Sequence, residues 1–156
     1  MNDIYEKNEL LMQLINTSET LIKELEIPVK TLSYLMKHDK IESFLCMFIS
    51  AKNIDLAHIL KKEKRKIDRL FTFNENTDET FYVLLCINTK VEGSYKFSER
   101  LMRHITLGKG KEIHCLNVEI KGISCTLDEL ILNVYNDYLE LRDKDKTKNV
   151  QFKAIH

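Results

Sequence analysis

Residues 44–49 read Phe-Leu-Cys-Met-Phe-Ile, six apolar side chains without a polar interruption. Successive side chains of a strand point to opposite faces, so a sheet with one wet face would alternate here. An unbroken run requires cover on both faces, and it falls far short of the roughly 20 residues that span a membrane. Phe44 to Ile49 therefore predicts a central strand, and the rest of the chain must supply what covers it.

Leu11, Leu14, Ile15, Leu21, Ile22 and Leu25 recur at helical spacing behind Asn2 and Asp3, and the sole proline, Pro28, stands where such a helix stops. The reading is an amphipathic leading helix, residues 1–27, then a domain over 28–156 that opens with a short helix, Val29 to Lys37. Ile54, Ala57, Ile59, Leu60 and Ile67 give a helix from Ile54 to Asp68. Its basic run, Lys61, Lys62, Lys64, Arg65 and Lys66, suits the negative end of a helix dipole.

Two apolar runs, Leu70 to Phe73 and Phe81 to Ile87, flank the polar segment Asn74 to Thr80 and predict an antiparallel hairpin. A helix from Gly93 to Ile105 follows. In the next strand, Ile113 to Ile120, Leu116, Val118 and Ile120 alternate with Asn117, Glu119 and Lys121, which predicts one wet face. Thr126-Leu127-Asp128-Glu129 is a capping box that starts a helix running to Arg142, and Val150 to Ile155 makes a last short strand. This order predicts an α/β (α+β) fold, an antiparallel-rich, palm-like or ferredoxin-like sheet with helices packed on it, plus the N-terminal helix.

Twenty-four basic and 24 acidic residues cancel, so no global field draws the chain to nucleic acid or to a membrane surface. With no membrane-length apolar run and no signal-peptide core, the chain reads as cytoplasmic. Cys46, Cys86, Cys115 and Cys125 lie far apart with no CxxC pair, the pattern of reduced, buried thiols. The five histidines show no metal-ligand spacing, and His114 and Cys115, adjacent in a strand, must face opposite ways.

A family resemblance rests on these elements taken in order. Phe81-Tyr82-Val83-Leu84-Leu85 resembles the strand after the signature hairpin of GGDEF (diguanylate cyclase) domains, and Ser94 to Arg103 resembles the helix that follows it. Thr126 to Ile131 is similar to the family's S-L-D-E-L-[LI] opening. Asn133 to Val150 resembles its closing segment, with Tyr138 at the Leu-Tyr step and Asn149-Val150 at the end. Arg65-Lys66-Ile67-Asp68 reproduces the R-x-x-D element, so the resemblance spans Phe44 to Phe152.

The resemblance implies a signalling domain, and its departures bear on chemistry. Family members hold two divalent cations with an aspartate ending the first strand and an acid in the hairpin; here that strand ends Ile49-Ser50-Ala51. The hairpin segment Asn74 to Thr80 has no glycine for a nucleotide to approach, and Asp78 and Glu79 are weak metal candidates left in it. The stretch before R-x-x-D is too short for the family's substrate-binding element, of which Asn53 and Asp55 are a faint echo.

Three functions stay open. The first is a catalytically inactive regulatory or adaptor domain of bacterial signalling that acts through a protein partner, with its leading helix free to pair with a second copy as a homodimer. The second is a receptor for cyclic di-GMP or another guanine nucleotide, with Arg65 and Asp68 as the recognition pair and Lys62, Lys64 or Lys66 attracting phosphate; against it stands an ordinary Arg–Asp surface pair. The third, an active cyclase, lacks the expected residues. No cofactor is expected, and Mg2+ would enter only with residual nucleotide binding.

Overall fold

The computed structural model describes residues 2–75, 79–88, 91–144 and 147–156. The elements run α1 (Asn2–Lys37), β1 (Phe44–Lys52), α2 (Leu56–Glu63), β2 (Arg69–Asn74), β3 (Thr80–Ile87), α3 (Val91–Leu107), β4 (Lys111–Ile120), α4 (Leu127–Lys144) and β5 (Lys148–Ile155). The sheet order is β2-β3-β1-β4-β5. β1 pairs antiparallel with β3 and β4, β2 pairs antiparallel with β3, and β5 runs parallel to β4. The apolar run thus forms the central strand, and the expected hairpin lies beside it.

Two cores explain why that run does not alternate. Phe44, Cys46 and Phe48 join one core with Leu21 and Leu25 of α1 and Tyr135 and Tyr138 of α4. Leu45, Met47 and Ile49 join the other, with Leu56 and Leu60 of α2 and Leu101 and Ile105 of α3. Each face of β1 meets a helical layer, so a polar residue at any of the six positions would lie in a dry interior. Phe48 and Phe81 sit on neighbouring strands, with ring centroids 5.8 Å apart, and Tyr138 closes over both.

The structure corrects the sequence reading in three places. The two leading helices are one: α1 runs through Pro28 without stopping. Proline removes one intrahelical hydrogen bond, but burial of Leu21, Leu25, Val29 and Leu32 on both sides of it holds the helix together. The helix expected to reach Asp68 ends at Glu63, and Arg65 to Asp68 form a turn.

β4 has no wet face. Every residue from Ile113 to Ile120 is buried, and Asn117 and Glu119 are bonded internally. Asn117 accepts from Ser98 Oγ at 3.2 Å and donates to the Gln151 carbonyl at 3.3 Å. Glu119 accepts from Ser43 Oγ at 3.4 Å and pairs with Lys121 at 3.4 Å. Polarity that reads as exposure in sequence is here satisfied inside. Among the described residues, no helix is long and apolar enough to cross a membrane.

Candidate functional site

The C-terminal end of β1 opens into a cleft of about 630 Å3. Ser50, Lys52 and Asn53 form its floor, Glu79, Thr80 and Tyr82 of the hairpin one wall, His114 and Glu112 of β4 another, and Arg142 and Asp143 of α4 its rim. This is where the family resemblance puts metal and nucleotide chemistry, and two ion pairs join its lining, Lys52 with Glu112 and Arg142 with Glu79. The Tyr138 hydroxyl donates to Ser50 Oγ at 2.6 Å, in the place of the first-strand carboxylate. Burial pushes the Tyr138 phenol's pKa up, so it stays a donor.

The hairpin's acids face a guanidinium. Arg142 holds Glu75 through both terminal nitrogens, with Nη2 to Oε2 at 3.0 Å, and its Nη1 lies 3.6 Å from Glu79. Burial alone would lower the Arg142 pKa; the Glu75 carboxylate more than reverses this and raises it. The Arg142 guanidinium also lies over the Tyr138 ring, 5.5 Å from its centroid. A guanidinium thus holds Glu75 and lies near Glu79 at this end of the hairpin. Glu79 is the described one of the two metal candidates; Asp78 lies outside the described residues. Among the described residues, no group of three or more His, Cys, Asp and Glu side chains converges as a metal site.

The echo of the substrate element has structural employment. Asp55 caps α2, accepting from the His58 backbone N–H at 3.2 Å. Asn53 adopts a left-handed backbone, φ 64°, and donates to the Lys109 carbonyl at 3.2 Å.

Arg65 and Asp68 are brought together in the turn after α2. Asp68 is buried and accepts from the Arg65 backbone N–H at 2.9 Å, from Nε at 3.1 Å and from Nη2 at 2.9 Å. Arg65 Nη2 also donates to the Ile87 carbonyl at 2.8 Å, tying the turn to the end of β3. The bond to Asp68 is the main reason the Arg65 pKa is raised. Lys64 Nζ closes the turn through the Asp68 carbonyl at 3.0 Å, whereas Lys62 and Lys66 are exposed. The pair lines a second depression, of about 440 Å3, with Lys96, Phe97 and Arg100 of α3. Arg100 is engaged with Glu63 at 2.9 Å.

Sequence reasoning missed Arg142 and Glu75. Their partnership joins positions 67 apart, and nothing local in either segment signals it.

No family model matches this sequence, and no curated protein matches it. Among solved structures, the diguanylate cyclase SiaD, in complex with its activator SiaC from Pseudomonas aeruginosa, superposes with a TM-score of 0.56 over 97% of this chain and 74% of that one. The fold is a GGDEF-like palm. Sequence identity across the superposition is 11%, so the likeness is one of fold.

A third surface lies on α1. Its buried stripe starts at Thr17 and continues through Leu21, Leu25 and Val29, while on the turns before it every described side chain but the half-buried Gln13 is exposed. On those turns Ile4, Tyr5, Leu10, Leu11, Met12, Leu14 and Ile15 are all exposed, Leu10 by 64%.

Proposed function

We propose that this chain is a GGDEF-like regulatory or adaptor domain of bacterial signalling that has given up cyclase chemistry and works through protein contacts. The observation that carries the reading is the Arg142–Glu75 contact at the rim of the cleft. Phosphoryl transfer in such a fold needs divalent cations to absorb charge on the triphosphate. Here a side-chain cation engages Glu75 and lies near Glu79, and Ser50, bonded to Tyr138, stands toward the end of β1 where the family resemblance expects a carboxylate. The exposed apolar turns of α1 supply a surface for a protein partner, and the SiaD structure is itself of a complex with a protein activator.

The test is calorimetric titration with GTP and Mg2+, alongside an assay for cyclic di-GMP formation. The expected result is no product and no magnesium-dependent heat. Turnover that is lost in Glu79→Gln would overturn the reading in favour of an active cyclase with rearranged ligands.

A second reading is favoured by the depression around Arg65 and Asp68, where Lys96 adds positive charge beside the pair. In this reading the site receives cyclic di-GMP or another guanine nucleotide. Arg65 would have to exchange part of its Asp68 and Ile87 bonding for the ligand, which opposes binding. Micromolar cyclic di-GMP binding that weakens in Lys96→Glu would support this reading; no heat leaves the adaptor role standing.

A further inference from the structure

We propose that the face built by α2 and α3 docks on the surface of an anionic phospholipid bilayer, with basic side chains meeting the headgroup phosphates and scattered apolar tips entering the interface. The inference goes beyond the adaptor reading and uses neither the cleft nor α1. Among the described residues no helix is long and apolar enough to cross a membrane, so the contact is peripheral.

Zero net charge conceals a division across the sheet. Residues 56–69, which hold α2 and the turn after it, carry six basic and two acidic side chains, and residues 91–111, which hold α3, carry five and two. Both helices pack on the same face of β1. On the opposite face, α1 carries six acidic and four basic side chains and α4 five and two. A whole sheet separates the two layers by roughly 20 Å, more than twice the Debye length of about 8 Å at physiological salt. A surface approaching α2 and α3 therefore meets a cation excess that the acidic layer does not cancel.

The cations of this face are placed to be used. Lys61, Lys62 and Lys66 around the end of α2, and Lys96 and Arg103 on α3, are exposed. Glu63 ties the two helices side by side, accepting from Arg100 at 2.9 Å and pairing with His104 at 3.1 Å. Beyond α1, the exposed large apolar side chains among the described residues are Ile67, in the turn after α2, and Tyr95 and Leu107 of α3, Leu107 by 76%. All three belong to the basic layer.

That arrangement selects a bilayer over other anionic partners. Protein interfaces gather their apolar side chains into a packed centre, whereas Tyr95 and Leu107 stand near opposite ends of α3, about 18 Å apart along its axis, with Lys96, Arg100 and Arg103 between them in sequence. Nucleic acid would engage the cations through its phosphates and has no use for exposed aliphatic tips such as Ile67 and Leu107. A bilayer interface takes each apolar tip singly while its headgroups take the cations.

Co-sedimentation of the full chain with vesicles of phosphatidylcholine, pure or mixed with phosphatidylglycerol, tests this. The expected result is binding to the anionic vesicles alone, weakening as salt rises. Each cation lost should cost roughly fivefold in partitioning, so the triple variant Lys62→Gln, Lys96→Gln, Arg103→Gln should bind roughly 100-fold more weakly. Leu107→Ser should weaken binding several-fold without changing its salt dependence. All four positions are exposed, so thermal unfolding should stay that of the parent chain, which separates lost docking from lost folding. No binding to anionic vesicles overturns the proposal, and so does binding indifferent to the triple variant. Binding that falls in the triple variant but not in Leu107→Ser, or that a random-sequence DNA duplex matches at equal phosphate concentration, overturns the bilayer as partner and marks the face as a general anion surface.

Discussion

Arg142, in the last turn of α4, and Glu75, just past the end of β2, form a two-point guanidinium–carboxylate contact across 67 residues of sequence. The pair fastens the outer hairpin to α4, with side-chain exposures of 22% and 13%. Removing one member strands the other in a place where water is scarce. Arg142→Met should cost about 2 kcal/mol, less than a fully buried pair because both groups keep some solvent. Urea unfolding of Arg142→Met, Glu75→Met and the double variant would measure the coupling, and a double variant near wild-type stability is the expected sign that the single-variant cost is the unpaired charge.

Asp68 has a structural role, which changes how a nucleotide-binding control must be built. It accepts the Arg65 backbone N–H and both of the guanidinium contacts from a buried position. Asp68→Ala should destabilise the fold by about 2 to 3 kcal/mol, since charged hydrogen bonds are lost and donors are left unmet. A lowered melting temperature in Asp68→Ala, with Lys96→Glu unaffected, would check this.

Alkaline pH should unfold the protein earlier than its composition implies. Burial pushes the Cys46 and Cys115 thiols from 9.0 up to about 12, and burial, aided by the Glu75 charge, pushes the Tyr135 phenol from 10.0 up to about 12. A raised folded-state pKa favours the protonated form, so the stabilisation is complete below the unfolded values and lost as pH rises through the folded ones. Stability should be flat to about pH 8 and then fall from about 9 to 12, at roughly 1.4 kcal/mol per pH unit for each thiol. Urea midpoints across that range provide the measurement. At pH 8, Cys125, the half-buried thiol, should react with a thiol reagent first, and the three buried ones only on unfolding.

Pro28 lies within α1, and the helix continues past it. Pro28→Ala restores a backbone donor and relieves the ring's clash with the preceding turn, so it should stabilise the fold by about 1 kcal/mol or more. Comparison of unfolding midpoints reads the effect directly.

The central strand was legible because six apolar residues in a row admit one physical solution, cover on both faces, and the structure supplies it with α1 and α4 on one side and α2 and α3 on the other. The hairpin and the start of α4 were legible for a similar local reason; the Thr126 hydroxyl does accept from the Glu129 N–H, at 3.2 Å. Asn117 and Glu119 misled because a sequence shows that a residue is polar but not whether Ser98, Gln151, Ser43 or Lys121 will satisfy it indoors. Pro28 misled because a proline's local cost is visible and the long-range burial that offsets it is not.

By itself, then, the sequence determined the order of the elements from β1 onward, the central place of β1, and the absence of glycine from Asn74 to Thr80 and of a carboxylate from Ile49-Ser50-Ala51, all properties of neighbouring residues. Tertiary structure alone decided that Arg142 meets Glu75, that Tyr138 meets Ser50, and that Arg65 and Asp68 close a turn rather than extend a helix. These contacts form between chain segments whose distance is set by packing, and packing is the sum of many weak burials that no local pattern encodes.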